Sequence, residues 1–354
     1  MAEPVPFPAD KLALLRGVSR SFYLSIRLLP APLREPVAVA YLLARATDTL
    51  ADTATLPASE RLDKLTTLAA AIAGSPASST SPASPDGIRA LMASFAPLQN
   101  DAQERQLILA LPDCLDWLAR LAPDDRADVR TVLAHITHGQ TLDVARFGDG
   151  TAVRALASAA ELDDYTWRVA GCVGEFWTAL GFRHLPGFAS LPEARMRELG
   201  RGYGMGLQLI NILRDAGADL AAGRCYFPAD ALAAAGLAPG DITARPDQFD
   251  PVYRHWLDAA ERRLAEGMAY ADALGSRRVR AASALPALVG ARTLALLRAA
   301  GPAALTQRVK LPRHEMRMLL LRLALGLAGR GALERHFRQL GRPADPPPMG
   351  QSRP

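Results

Sequence analysis

Two pairs of aspartates carry the clearest chemistry in this chain: Asp48 and Asp52 in ARATDTLAD, and Asp215 and Asp219 in LQLINILRDAGAD. Each pair is spaced by four residues, so on a helix its two carboxylates share one face. Four such groups gathered in one apolar cavity would repel one another and lose their solvation unless divalent cations sat between them. Mg2+ suits that place, because it prefers carboxylate, water and phosphate oxygens and seldom takes an all-protein cage. Arg45, three residues before Asp48, and Arg214, beside Asp215, supply cations that can hold phosphate oxygens through two donors. Gln208 and Asn211 add amides able to position metal or water. This mixture is that of a metal-diphosphate site. Spacing alone is weak support, since Asp124 and Asp128 in PDDRAD have the same separation; they follow a proline at the start of a polar helix and read as a cap that complements its dipole. The apolar YLLA before the first site pair and GMGLQLI before the second set those two apart.

The elements that must position these residues are helices. Stretches rich in Ala, Leu and Arg, with apolar residues three and four apart, alternate with short Pro/Gly breaks, and no strand-like alternation of useful length occurs. The pattern predicts an all-α protein with helices over 11–27, 33–53, 59–73, 87–96, 103–119, 125–147, 162–180, 192–220, 251–274, 280–300 and 313–340. Residues 1–10 form an N-terminal extension, 11–340 one helical domain, and the Pro/Gly-rich residues 341–354 a disordered tail. The Pro/Ser-rich segment 74–87 is expected to be a flexible surface loop.

With 354 residues and 49% hydrophobic content the chain can bury a large core. Its 41 basic and 36 acidic residues give a net charge of +5, a balance that suits an anionic small substrate or an anionic membrane surface. No zinc-finger spacing, basic zipper or aromatic-basic sheet motif is present, so nucleic acid is not an expected partner. Cys114, Cys172 and Cys225 match neither a metal pattern nor a disulfide framework, which implies a reducing compartment. The start MAEPVPFPAD lacks the apolar core of a secretory signal, and a cytoplasmic location is expected. No apolar run reaches the roughly 18 residues a transmembrane helix needs. The nearest approach, MLLLRLALGLAG over 318–329, contains Arg322 and reads as a core or membrane-surface helix. Asp143, one turn beyond Gly139, could line the site, although a capping or salt-bridging role is the favoured reading.

Five segments occur in an order that resembles the squalene/phytoene synthase family: SRSF from Ser19, YLLARATDTLAD from Tyr41, YTWRVAGCVG from Tyr165, LQLINILRDAGAD from Leu207 and GRCYFP from Gly223. The resemblance covers about residues 11–325 and lies closest to squalene synthase. It implies an isoprenoid-synthase helical bundle in which the two aspartate helices face each other across the mouth of a central cavity. By this likeness Asp48, Asp52, Asp215 and Asp219 bind Mg2+ with help from Asn211, while Arg20, Arg45 and Arg214 contact diphosphate. Tyr165 acts near the departing group, and Gln208 matches the motif. The implied reaction joins two farnesyl diphosphates head to head into presqualene diphosphate, followed by NADPH-dependent reduction to squalene. Lys310, in RVKLPRHEM, matches a basic residue that contacts the nucleotide in squalene synthases, whereas Pro312 stands where that pattern has another basic residue. Ala51 and Ala218 likewise occupy positions often acidic in the family.

A carbocation formed by that chemistry requires a dry apolar wall with aromatic faces, for which Phe22, Tyr41, Phe176 and Trp177 are candidates. Gly171 and Gly174 each cost a helix about 1 kcal/mol relative to Ala, a cost that fits close approach of either a prenyl chain or a neighbouring helix. Phytoene, dehydrosqualene and hydroxysqualene stay open as products. A helical scaffold protein that has kept the fold is the non-enzymatic alternative. Peripheral membrane contact is expected because substrates and product are lipids.

Overall fold

The computed structural model describes residues 9–19, 22–74, 83–148, 152–326 and 331–340. Arg20, residues 1–8, most of the Pro/Ser-rich loop and the 341–354 tail lie outside them. The first eight helices are α1 (Ala9–Val18), α2 (Phe22–Leu28), α3 (Ala31–Asp52), α4 (Ala58–Ala73), α5 (Pro85–Phe95), α6 (Ala102–Leu109), α7 (Leu111–Arg120) and α8 (Pro123–Phe147). After them come α9 (Ala159–Thr166), α10 (Cys172–His184), α11 (Glu193–Ala221), α12 (Ala229–Ala234), α13 (Pro246–Ala273), α14 (Arg277–Ala300), α15 (Arg313–Gly326) and α16 (Ala332–Leu340). The strand content among the described residues is one parallel pair of two-residue strands, β1 (Arg154–Ala155) and β2 (Arg224–Cys225). The protein is all-α, as the periodicity predicts.

Several long predicted helices are interrupted. The predicted helix over 103–119 starts where Asp101 caps α6 by accepting from the Gln103 and Glu104 amides, and it breaks at Ala110 because Pro112, in the first turn of α7, cannot donate a helical hydrogen bond. The segment over 162–180 divides at a π turn, Trp167–Gly171, between α9 and α10. A wider turn unwinds the helix locally and offsets the drift of about 40° that each four-residue step accumulates in an ordinary helix. Tyr165, Val169 and Val173 consequently face one cavity.

The apolar side chains form two clusters. One gathers α3, α4, α8 and α10 around Leu42, Leu65, Leu133 and Leu180; the other gathers α11, α13 and α14 around Leu213, Leu264 and Leu288. Where α3 and α8 of the first face α11 of the second, the packing opens into a cavity. By length and hydropathy alone α14 with its following turn, Arg277–Leu305, is long enough to cross a membrane, and it is a better match than the 318–329 stretch. It is a core helix, with 72% of its apolar window buried inside the protein.

The glycines of VAGCVG let two helices touch backbone to backbone. A Cβ placed on Gly174 would lie 1.9 Å from the Gly200 carbonyl oxygen of α11, and one on Gly204 would lie 2.2 Å from the Ala170 carbonyl oxygen. Helix packing therefore accounts for Gly174, while Gly171 abuts Met205 and Trp167. Gly174→Ala is expected to lose about 1–3 kcal/mol by overpacking, a loss that outweighs the roughly 1 kcal/mol gain in helix propensity. Gly240→Ala, with nothing within 4 Å of the added methyl, should change little. Urea denaturation of the two variants checks this, and equal midpoints would contradict the close packing.

Candidate active site

The four aspartates line one cavity of about 660 Å³. Asp48 and Asp52 enter it from the last turns of α3, and Asp215 and Asp219 from the last two turns of α11. Gln208, Asn211 and Tyr165 line it too, so the structure brings these seven predicted residues together. Arg45 lines an adjoining cavity of about 440 Å³, whose other walls include Val37, Ala40, Val169, Val173, Phe176 and Trp177. The two cavities share Asp48, Gln140, Tyr165, Gln208 and Asn211, which makes them the polar and apolar ends of one continuous space. Tyr41, Phe176 and Trp177 thus stand on the apolar wall. Arg20 and the side chain of Phe22 lie outside the described residues. Arg214 pairs with Asp215 at 2.5 Å but lines neither cavity, and Lys310 is exposed on the segment before α15 and also lines neither.

Each acidic helix is already paired with arginine. Arg45 donates to Asp48 at 2.5 Å and also to Glu104 of α6. Arg224 donates to Asp219 at 2.8 Å and reaches Asp52 at 3.5 Å, so one guanidinium bridges the two aspartate helices. Gly223, at φ 78°, turns the chain just after α11 so that Arg224 on β2 folds back over the cavity. Burial opposes the charge on Arg224, yet Tyr226, Asp219, Asp52 and Asp143 together raise its pKa and hold it protonated.

The carboxylates show what the site lacks. Asp48 is pushed up to about 7, first by burial and then by the charge of Asp52, against the pull of Arg45. It keeps 41% of its side-chain surface accessible because that surface faces the cavity. Burial likewise raises Asp219 to about 6, opposed by Arg224. Like charges held apart from bulk water at this density favour a cation between them. Among the described residues no three ligating side chains converge closely enough to hold an ion unaided. The raised carboxyls are what a divalent cation would answer, and Mg2+ would take one or two of them and complete its shell with water and phosphate oxygens. Asp48, Asp52, Asn211, Asp215 and Asp219 are the residues positioned to hold it.

Arg224 and Tyr226 escaped the sequence reading, and Asp143 was given a different favoured role. Among the described residues Asp143 neither caps a helix nor makes a salt bridge; it lines the cavity from α8, accepts from the Tyr226 hydroxyl at 2.6 Å, and its other oxygen, Oδ1, is buried with no partner among them. Tyr226 stacks on Tyr165 with ring centroids 5.0 Å apart. Burial raises both tyrosines well above their ordinary pKa, so both remain neutral hydrogen-bonding groups. Arg224 and Tyr226 sit inside the quoted GRCYFP, which was the signal that could have found them. Of the control pair, Asp124 lies in the first turn of α8, where no side chain makes a cap hydrogen bond, and Asp128 pairs with Arg183 of α10 at 2.7 Å; the neighbouring buried Asp125 holds both Arg183 and His184 at 2.8 Å.

Burial pushes the Asp143 carboxyl up to about 7, opposed by Tyr226 and Arg224. A carboxyl whose folded pKa is raised binds more protons folded than unfolded, so its contribution to stability is present below about pH 4 and is lost as pH rises to about 7. Asp143→Asn removes that loss. In the Mg2+-free protein it should raise the thermal midpoint at pH 8 and leave it nearly unchanged at pH 4; a variant less stable at both pH values would count against a strained carboxylate.

The family model described as squalene/phytoene synthase matches residues 15–315. A bifunctional lycopene cyclase/phytoene synthase of Phaeosphaeria nodorum is 31% identical over 67% of this chain, which spans 37% of that relative's length. A presqualene diphosphate synthase of Rhodopseudomonas palustris is 29% identical over 90% of this chain and 98% of its own. Among solved structures, TcSQS in complex with the ligand E5700 superposes with a TM-score of 0.74 at 19% identity, covering 94% of this chain and 89% of that one, a likeness of fold. Every residue that lines the two cavities falls within the matched span, and the chain belongs to the squalene/phytoene synthase family.

Proposed function

We propose that this protein joins two farnesyl diphosphates head to head into presqualene diphosphate. The observation that carries the reading is the continuous space with an aspartate- and arginine-lined end and an apolar end. A prenyl diphosphate has the same two-part character. Mg2+, held by the facing carboxylates, would supply Lewis-acid polarisation of the diphosphate oxygens.

The chain's own residues account for the rest. Arg224 at the polar end, and Arg45 beside Asp48 at the border, stand to meet the charge that grows on the diphosphate as the allylic C–O bond breaks and its electron pair leaves with oxygen. Gln208 and Asn211, at the border of the two cavities, orient the head group. Tyr165, neutral and at the same border, can donate a hydrogen bond to the departing oxygen. Val169, Val173, Phe176 and Trp177 keep water from the allylic cation while the double bond of the second chain attacks it. Loss of a proton then closes the cyclopropane ring. Asp143 offers an unpartnered oxygen on the cavity wall to accept that proton.

The near full-length Rhodopseudomonas palustris relative supports presqualene diphosphate as the product. A second reading continues to squalene with NADPH, and the observation in its favour is Lys310 in the RVKLPRHEM segment. Lys310 does not line the cavity, so the residues in hand do not form a nicotinamide site beside it and no reductive step is derived. A cytoplasmic location, peripheral to the membrane, completes the proposal.

Purified protein incubated with farnesyl diphosphate and Mg2+ should release diphosphate and accumulate presqualene diphosphate. Adding NADPH separates the readings, because squalene appears only under the second. Geranylgeranyl diphosphate tests the phytoene alternative, and absence of diphosphate release from either substrate would falsify the synthase reading. Arg224→Gln, which removes a cation shared by both aspartate helices, should lower kcat on the order of 10²-fold. Steady-state kinetics checks it, and an unchanged kcat would remove Arg224 from the site.

A further inference from the structure

We propose that the outer face of α15 docks this protein onto a lipid bilayer with anionic headgroups. The helix rests on its neighbours through Leu319 and Leu323, which are buried. Its single carboxylate, Glu315, turns inward and forms a two-bond pair with Arg292 of α14 at 2.5 and 3.0 Å. The outer face carries Met318, Leu321 and Leu325, which are 48%, 53% and 68% exposed. These three positions follow i, i+3 and i+7 and form one stripe along the helix. The other exposed large apolar side chains among the described residues, Leu24, Leu98, Leu109 and Leu191, lie on different elements and form no such row.

A surface helix ordinarily turns polar side chains to water, whereas α15 turns this apolar row to water beside its arginines. Arg317 and Arg322, both exposed, flank the stripe, and Arg308, Lys310 and Arg313 lead into it, also exposed. Arginines bordering a row of leucines can lay their stems along the acyl boundary and keep their guanidiniums among headgroups. Charge selects the occupant. Pairing this face with its copy in a second molecule would set like cations against each other, whereas an anionic leaflet meets them all with opposite charge. The apolar stripe would find no partner on a nucleic acid backbone. This surface is separate from the cavity, so the proposal stands whatever the reaction.

The test is sedimentation of the full-length protein with vesicles. Binding is expected to vesicles mixing phosphatidylglycerol with phosphatidylcholine, at least about tenfold tighter than to phosphatidylcholine alone, and to weaken as salt is raised. A Leu321→Glu, Leu325→Glu double variant should lose binding while keeping the wild-type thermal midpoint and turnover on detergent-dispersed substrate. An Arg308→Gln, Arg317→Gln variant, which removes two exposed cations and leaves the apolar stripe and the Arg322–His336 contact in place, should weaken the preference for anionic vesicles. Failure of the wild-type protein to sediment with anionic vesicles overturns the proposal. So does equal binding by the Leu→Glu variant, or a wild-type dimer in size-exclusion chromatography that this variant abolishes.

Discussion

The structure is organised around one electrostatic difficulty, two carboxylate pairs presented to the same cavity with one member of each, Asp48 and Asp219, drawn out of water. Asp48 and Asp219 both have carboxyls raised by burial, and each is raised further by neighbouring aspartates. Arg224 relieves part of that repulsion by reaching Asp219 from α11 and Asp52 from α3 with one planar guanidinium. A lysine could not span the two in the same way, since its ammonium is a point charge without the fork of donors. The bridge also fixes the separation of the helices at the cavity mouth. Its residual deficit of positive charge is what makes the site receptive to a divalent cation and its diphosphate, because each would complete the neutralisation the arginine begins.

Holding two such faces opposite one another demands walls that do not give. The contact between α10 and α11 supplies one, with the Gly174 and Gly204 positions admitting backbone atoms where any side chain would collide. Close backbone packing of this kind has few alternative arrangements, so α11 cannot slide to relieve the repulsion at its acidic end. The π turn before α10 serves the same purpose at the apolar end by keeping Tyr165, Val169 and Val173 in one row. Strain in one place and precision in another are thus linked through a single helix.

Much of this was legible in the sequence, and the limits have physical causes. The helix periodicity survives in a one-dimensional string because it is local, so α3, α4, α8 and α11 fall within a residue or two of expectation. The breaks at Ala110 and at the π turn do not show in the apolar pattern, since that pattern continues through both. The aspartates, Gln208, Asn211 and Tyr165 were found because their motifs are compact. Asp143 was misjudged because its partner, Tyr226, is 83 residues away, and Arg224 was overlooked because its bridging role exists only once α3 and α11 meet. Lys310 shows the opposite error: a local match in an exposed segment that does not line the cavity.

The border between the two cavities places the strongest constraint on any chemistry performed there. Asp48, Gln140, Tyr165, Gln208 and Asn211 belong to both, so a bound molecule with a charged head and an apolar tail must have its joint at those five side chains. In a prenyl diphosphate that joint is the allylic carbon–oxygen bond. Charge would therefore separate where the medium changes from polar to apolar, with the anion drawn toward Arg224 and the cation left among valines and aromatic faces. Recombination is disfavoured when the anion is held by fixed cations, and capture by water is disfavoured when the wall is dry. In the proposed reaction a neighbouring double bond would then be the nucleophile that meets the cation, and the arrangement of the walls would favour carbon–carbon bond formation.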